Sequence, residues 1–112
     1  MIEPLIIKNR MTKEERVTLY KVALNRWGPT AQWILTFEEL GELMQSMSKF
    51  YRSPNKTTIT KLVDEIADVK IMLEQVQVLV EDISMEELSM DIMVDNQMQF
   101  KLKRLLKRLE DG

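Results

Sequence analysis

Two short acidic runs hold the residue types in this sequence that could do chemistry: Glu38-Glu39-Leu40-Gly41-Glu42 and Glu65-Ile66-Ala67-Asp68. Glu39 and Glu42 are three positions apart, as are Glu65 and Asp68, so on helices each pair shares a face. Both pairs sit beside apolar positions. Glu39 precedes Leu40, while Glu65 and Asp68 flank Ile66 and precede Val69. A carboxylate at the margin of a buried face is costly unless something neutralises it. Packed helices lie about 8–10 Å apart. Four carboxylates reaching inward from two facing helices could therefore enclose one or two Mg²⁺ ions at roughly 2.0–2.1 Å per ligand. Without cations, four like charges this close repel. Either pair alone reads as an ordinary solvated helix face; their occurrence on successive antiparallel helices, each beside a core stripe, is what points to a metal centre.

The composition narrows the chemistry further. The chain has 112 residues, with no cysteine and no histidine. Disulfides, thiolate zinc sites, cysteine nucleophiles, Ser-His-Asp triads and Glu-x-x-His di-iron centres are excluded. Any metal must be held by oxygen, which favours Mg²⁺, Ca²⁺ or Mn²⁺. Sixteen Lys+Arg against 18 Asp+Glu give a net charge of −2, which argues against a strongly basic nucleic-acid binder. No apolar run approaches the roughly 18 residues of a membrane span, and Met1–Arg10 lacks a signal-peptide layout. The expectation is a soluble cytoplasmic protein that binds neither membrane nor nucleic acid.

The elements that must position the carboxylates are helices. Only three Gly and three Pro occur, against nine Met and many Leu, so the expected fold class is all-α. It is read as one domain over residues 1–112, with residues 1–11 as an N-terminal arm. Thr12 and Glu15 have capping-box spacing, and a first helix follows until Gly28-Pro29 stops it. A second helix spans about Thr30 to Tyr51, with Leu40, Leu43, Met44, Met47 and Phe50 as its buried stripe. Arg52 to Lys56 has turn chemistry. A third helix, about Thr58 to Val80, is apolar on more than one side, which calls for a subunit interface as second cover. Glu81-Asp82-Ile83 breaks the pattern. Ser84 and Glu87 form a second capping-box pattern that opens a fourth helix to about Leu109, with a basic end. The expected architecture is a four-helix arrangement completed by self-association. Gly41, costing about 1 kcal/mol in a helix interior, fits the close approach of a neighbouring helix or of a ligand.

The run EELGE (Glu38–Glu42), followed after Leu43–Asp64 by EIAD (Glu65–Asp68), resembles the EExxE…ExxD signature of the MazG-like all-α nucleoside triphosphate pyrophosphohydrolases. The surrounding "RWGPTAQWILTFEELGEL" and "VDEIADVKIMLEQV" look like the two motifs of short phage-encoded or bacterial members. The resemblance covers about residues 10 to 109. It implies a Mg²⁺-dependent hydrolase, with Mn²⁺ as a possible substitute, that cleaves (d)NTPs between the α- and β-phosphates to a monophosphate and pyrophosphate in nucleotide-pool control. Carried over, the metal ligands are Glu39, Glu42, Glu65 and Asp68, and Glu38 orients or deprotonates the attacking water or holds a further metal. The implied assembly is a homodimer or homotetramer with sites lined by more than one subunit.

Such chemistry needs mainly positioning and charge neutralisation. Basic side chains should then complement the metals at the phosphates: Lys101 and Arg104 on the last helix lead, with Lys49, Arg52 and Lys56 behind them. Trp27, Gln32 and Trp33 could stack on or read a base, though core packing explains the tryptophans as well. Some members of the family carry an aromatic one turn past the ExxD aspartate, where this sequence has Met72. The competing reading is a non-catalytic helical interaction module or regulator with a degenerate site, whose Met-rich surfaces serve partner binding.

Overall fold

A computed structural model describes residues 10–84 and 87–112. The described chain is all-helical, with α1 at Lys13–Arg52, α2 at Lys56–Ile83 and α3 at Met90–Asp111. Among the described residues no helix is long and apolar enough to cross a membrane. The N-terminal arm, apart from residues 10 and 11, lies outside the described residues.

The start of α1 follows from its cap. Thr12 Oγ1 accepts from the Glu15 N–H at 3.1 Å, and the Glu15 carboxylate accepts from the Thr12 N–H at 2.9 Å. This reciprocal pair satisfies two otherwise orphaned donors. α1 is not one straight rod. Gly28 has φ 84° and ψ 162°, a region essentially restricted to glycine, and Pro29 follows it. The break divides α1 into two helical arms, as the Gly28-Pro29 signal implies. Its sharpness shows in the contacts: Arg16 and Tyr20 both reach Glu74, whereas Thr36 touches Met72, two residues away on α2. In an unbroken helix residues 20 and 36 would lie about 24 Å apart along the axis.

A short turn joins α1 to α2. The Ser53 N–H donates to Lys49 O at 2.9 Å, closing the end of α1. Asn55 and Thr58 then cap α2 reciprocally, with the Thr58 N–H donating to Asn55 Oδ1 and the Asn55 N–H to Thr58 Oγ1, each at 3.0 Å. The second arm of α1 therefore returns along α2 as an antiparallel hairpin. The first arm is fastened to α2 by Glu74, whose two oxygens accept from Arg16 Nε and Nη2 at 2.9 and 3.1 Å while Tyr20 donates a third, short hydrogen bond. These partners hold the Glu74 carboxyl below its ordinary value, with the Arg16 hydrogen bond as the largest cause. Burial and the Glu74 carboxylate push the Tyr20 phenol up to about 12.

The hairpin inverts the expected pattern of burial. The buried apolar residues are Tyr20, Leu24, Val69, Met72, Val78 and Leu79, and the buried polar ones are Gln32, Thr36, Ser46 and Glu65. The expected stripe of Leu40, Met44 and Met47 instead faces out, with Met44 70% and Met47 54% exposed; Leu43 and Phe50 are half-buried. On α2, Val63, Ile66 and Leu73 are exposed as well. Hydrophobic periodicity identifies residues that share a face but not which neighbour covers that face. Here the seam takes the polar stripe of α1, with Thr36 against Met72 of α2, while Leu40, Met44 and Met47 point away from it.

The chain divides into two compact units, Met1–Leu79 and Val80–Gly112. Within the second, α2 continues through Ile83, past the expected break at Glu81-Asp82-Ile83, because none of these residues stops a helix as Gly or Pro does. The expected capping box at Ser84 and Glu87 does not form a helix start. α3 begins at Met90 with Ser89 as its N-cap and without a side-chain cap bond. The Met90 N–H donates instead to the Glu81 carboxylate at 2.7 Å, placing a negative charge where a helix N-terminus favours one. α3 buries none of its residues, and it ends at Asp111, slightly beyond the expected Leu109.

Candidate metal centre

The seam between the second arm of α1 and α2 carries the acidic residues. Ligand oxygens of Glu39, Glu42 and Glu65 lie within 4.8 Å of one another, and so do those of Asp64, Glu65 and Asp68. Glu65 belongs to both groupings. The structure thus brings together all four residues expected from their spacing as ligands, and adds Asp64. The helical spacing explains the convergence: Glu39 and Glu42 lie on the inward face of α1 with Gln32, Thr36 and Ser46, and Glu65 and Asp68 on the face of α2 that holds Val69 and Met72.

Glu65 is the most deeply placed of these groups, at 1% exposure. Its Oε1 accepts from Lys61 Nζ at 2.7 Å, whereas its Oε2 is buried with no hydrogen-bond partner among the described residues. Glu39 Oε2 is likewise buried and unpartnered. A buried carboxylate oxygen without a donor carries its full desolvation penalty, about 1–3 kcal/mol or more for a charged group. Burial comes first in holding the Glu39 carboxyl above its usual range, followed by the charges of Asp68, Glu42 and Glu65. Lys61 is pushed the other way in charge terms: its hydrogen bond to Glu65, and then the Glu65 charge, favour its ammonium form.

Two orphaned, inward carboxylate oxygens within a group of oxygen donors have the chemistry of a hard-cation site. The donor set fits a hard divalent cation such as Mg²⁺ or Mn²⁺, which Glu39, Glu42, Glu65 and Asp68 could hold.

Other residues singled out in the sequence are dispersed. Glu38 is exposed and falls outside both acidic groupings. Gln32 is buried, and its carbonyl accepts from Thr36 Oγ1 at 2.8 Å. Trp27 is 61% exposed beside the Gly28 break. Trp33 stacks on Phe37, with ring centroids 6.4 Å apart. Met72 is buried against the Thr36 hydroxyl, 3.9 Å from its sulfur. Lys101 and Arg104 belong to the second unit and are exposed; the Arg104 guanidinium lies 5.8 Å from the Phe100 ring centroid. Gly41 is exposed, and a Cβ built there would meet nothing within 4 Å. No neighbouring helix among the described residues approaches Gly41 closely.

Sequence reasoning passed over Lys61, Asp64 and Ser46. Lys61 could have been found from its place four residues before Glu65, the spacing of a helical ion pair. Ser46 lies four residues after Glu42, extending the polar stripe toward the turn.

No family model matches this chain, and neither a curated protein nor a solved structure does.

Proposed function

We propose that this chain is a Mg²⁺-dependent nucleoside triphosphate pyrophosphohydrolase of the MazG-like type. The observation that carries the reading is the pair of buried, unpartnered oxygens, Glu39 Oε2 and Glu65 Oε2, inside an EExxE…ExxD arrangement whose carboxylates converge across the helix seam. Such an arrangement is costly for a structural ion pair and useful for holding divalent cations.

In this reading Glu39, Glu42, Glu65 and Asp68 hold the metal. When bound there, Mg²⁺ would supply charge neutralisation at the phosphates and activation of water. Glu38, exposed and next to Glu39 in the sequence, would orient the attacking water and take its proton. Water adds across the α,β-anhydride bond, giving a nucleoside monophosphate and pyrophosphate. Neither a covalent nucleophile nor a histidine is needed.

The outward apolar stripes complete the proposal. Met44, Met47, Ile66 and Leu73 are exposed, and a second copy of the hairpin covers them, turning two hairpins into a four-helix bundle. Sedimentation that shows only monomer at every concentration would overturn this assembly. The competing reading, a non-catalytic interaction module, draws on the same exposed methionines.

The deciding experiment is a pyrophosphate-release assay across the eight common NTPs and dNTPs, with Mg²⁺ and with EDTA, and chromatography of the products. Monophosphate and pyrophosphate formed only with Mg²⁺ is the expected result. Folded, Mg²⁺-loaded protein that turns over none of them favours the interaction module.

A further inference from the structure

Between the carboxylates and the 53–55 turn, the hairpin contains a cavity of about 220 Å³ lined by Glu42, Gln45, Ser46, Lys49, Lys61 and Glu65. That volume is several times the roughly 30 Å³ share of one water molecule. A second depression against it is lined by Ser46, Lys49 and Lys61 again, together with Thr57 and Thr58.

Ser46 is the telling residue. It is 3% exposed, and its Oγ has no hydrogen-bond partner among the described residues. A helical serine commonly donates to the carbonyl four residues back. Thr36, buried on the same stripe, does so with Gln32 O at 2.8 Å. The Ser46 hydroxyl does not, so its proton remains for an acceptor in the cavity it lines. Two ammonium groups line that cavity as well. Lys49 has no ion pair among the described residues. Lys61 pairs with Glu65, and its side chain is 60% exposed, so its other ammonium hydrogens can face the cavity.

Charge therefore changes sign along the seam. The middle is acidic, and the end nearest the turn offers one hydroxyl and two ammonium groups. A ligand matching both halves carries a chelated cation at one end and phosphate oxygens at the other. We infer that Ser46, Lys49 and Lys61 bind the diphosphate end of the substrate, so that the leaving pyrophosphate points to the turn and the nucleoside toward Gln32 and Trp33. This rests on the proposed hydrolysis for the identity of the substrate, and adds to it a binding site and a direction. Hydroxyl and ammonium donors to phosphate oxygens form charge-assisted hydrogen bonds, the stronger kind.

Calorimetric titration with inorganic pyrophosphate in the presence of Mg²⁺ tests it on the wild type, Ser46→Ala and Lys49→Met. Neither substitution removes a contact that holds the hairpin together, and a thermal melt verifies folding. Each variant is expected to bind pyrophosphate about tenfold more weakly or worse, with nucleoside monophosphate affinity unchanged. Wild-type affinity for pyrophosphate in both variants overturns the inference, as does a wild type that binds no pyrophosphate. The product assay decides the reaction separately. If the wild type forms monophosphate and pyrophosphate while both variants bind pyrophosphate normally, the direction falls and the reaction stands. If the wild type turns over nothing, the reaction falls, and the titration still decides the site.

Discussion

Glu65→Gln should make the metal-free protein more stable and the metal-loaded protein less so. The substitution keeps the shape of a side chain that is 1% exposed and removes its charge. In the wild type, Glu65 Oε2 is buried without a donor, which costs about 1–3 kcal/mol. The glutamine amide can donate toward the Glu39 and Glu42 carboxylates grouped with it, while its carbonyl still accepts from Lys61. Relief of repulsion adds in the same direction. A gain of about 2 kcal/mol is a reasonable centre, and for a domain of this size it raises the melting temperature by roughly 10 °C. Mg²⁺ acts in the opposite sense. At a thousandfold excess over its Kd it stabilises the wild type by about 4 kcal/mol through mass action, and the variant loses most of that gain along with a ligand. Melting followed by circular dichroism in EDTA and in saturating Mg²⁺ should therefore show the order of the two proteins reversing. A variant that is less stable than wild type in EDTA and gains the same shift from Mg²⁺ would refute both the strain at Glu65 and its role as a ligand.

Glu42→Gln and Asp68→Asn are expected to cut turnover about a hundredfold or more, since even residues that only orient metal ligands typically matter 10–100-fold, while helical content stays the same; unchanged turnover in either would remove that residue from the site. Glu74 predicts the acid limb of stability. Its carboxyl is held below the ordinary 4.5 by Arg16 and Tyr20, so its contribution is present above that value and is lost as pH falls through the depressed one. The melting-temperature gap between wild type and Arg16→Met should shrink as pH drops below 4.5, and a gap independent of pH would contradict this. Gly28→Ala should cost about 1–3 kcal/mol in chemical denaturation, because φ 84° and ψ 162° strain any side-chain-bearing residue even though nothing lies within 4 Å of the new Cβ; an unchanged denaturation midpoint would show that the chain can relax the break.

Local signals in the sequence were the legible ones. The Thr12–Glu15 cap, the Gly28-Pro29 break and the turn before α2 each depend on a few neighbouring residues, and each is present in the structure. The acidic pairs were legible for the same reason, since a spacing of three residues fixes a shared helix face. What the sequence hid is which face meets which partner. The apolar run of Leu40, Met44 and Met47 has the spacing of a core, and a lone chain leaves it outside because the opposite stripe, with Gln32, Thr36 and Ser46, meets α2. The Ser84–Glu87 pattern failed on the other side of the balance. α2 ends at Ile83, just before Ser84, yet residues 87–89 are not helical, and α3 starts at Met90, whose N–H finds its acceptor in Glu81. Lys61 and Ser46 were missed because their significance lies in burial that spacing does not show: Lys61 pairs with a glutamate one turn on that is 1% exposed, and Ser46 is buried without a partner among the described residues.

The short turn at residues 53–55 makes the hairpin a ruler. Glu42 and Glu65 lie at nearly equal distances along the chain from that turn, one on each rail, and both rails are anchored there by caps. Adding or deleting one residue between the turn and either carboxylate would rotate everything beyond it by about 100° and slide it by about 1.5 Å, carrying the acidic side chains out of the seam. Length changes should therefore be forbidden between Glu42 and Glu65 yet tolerated ahead of Thr12, so that the spacing of the two acidic pairs becomes as strict a part of this protein's specification as the residues themselves.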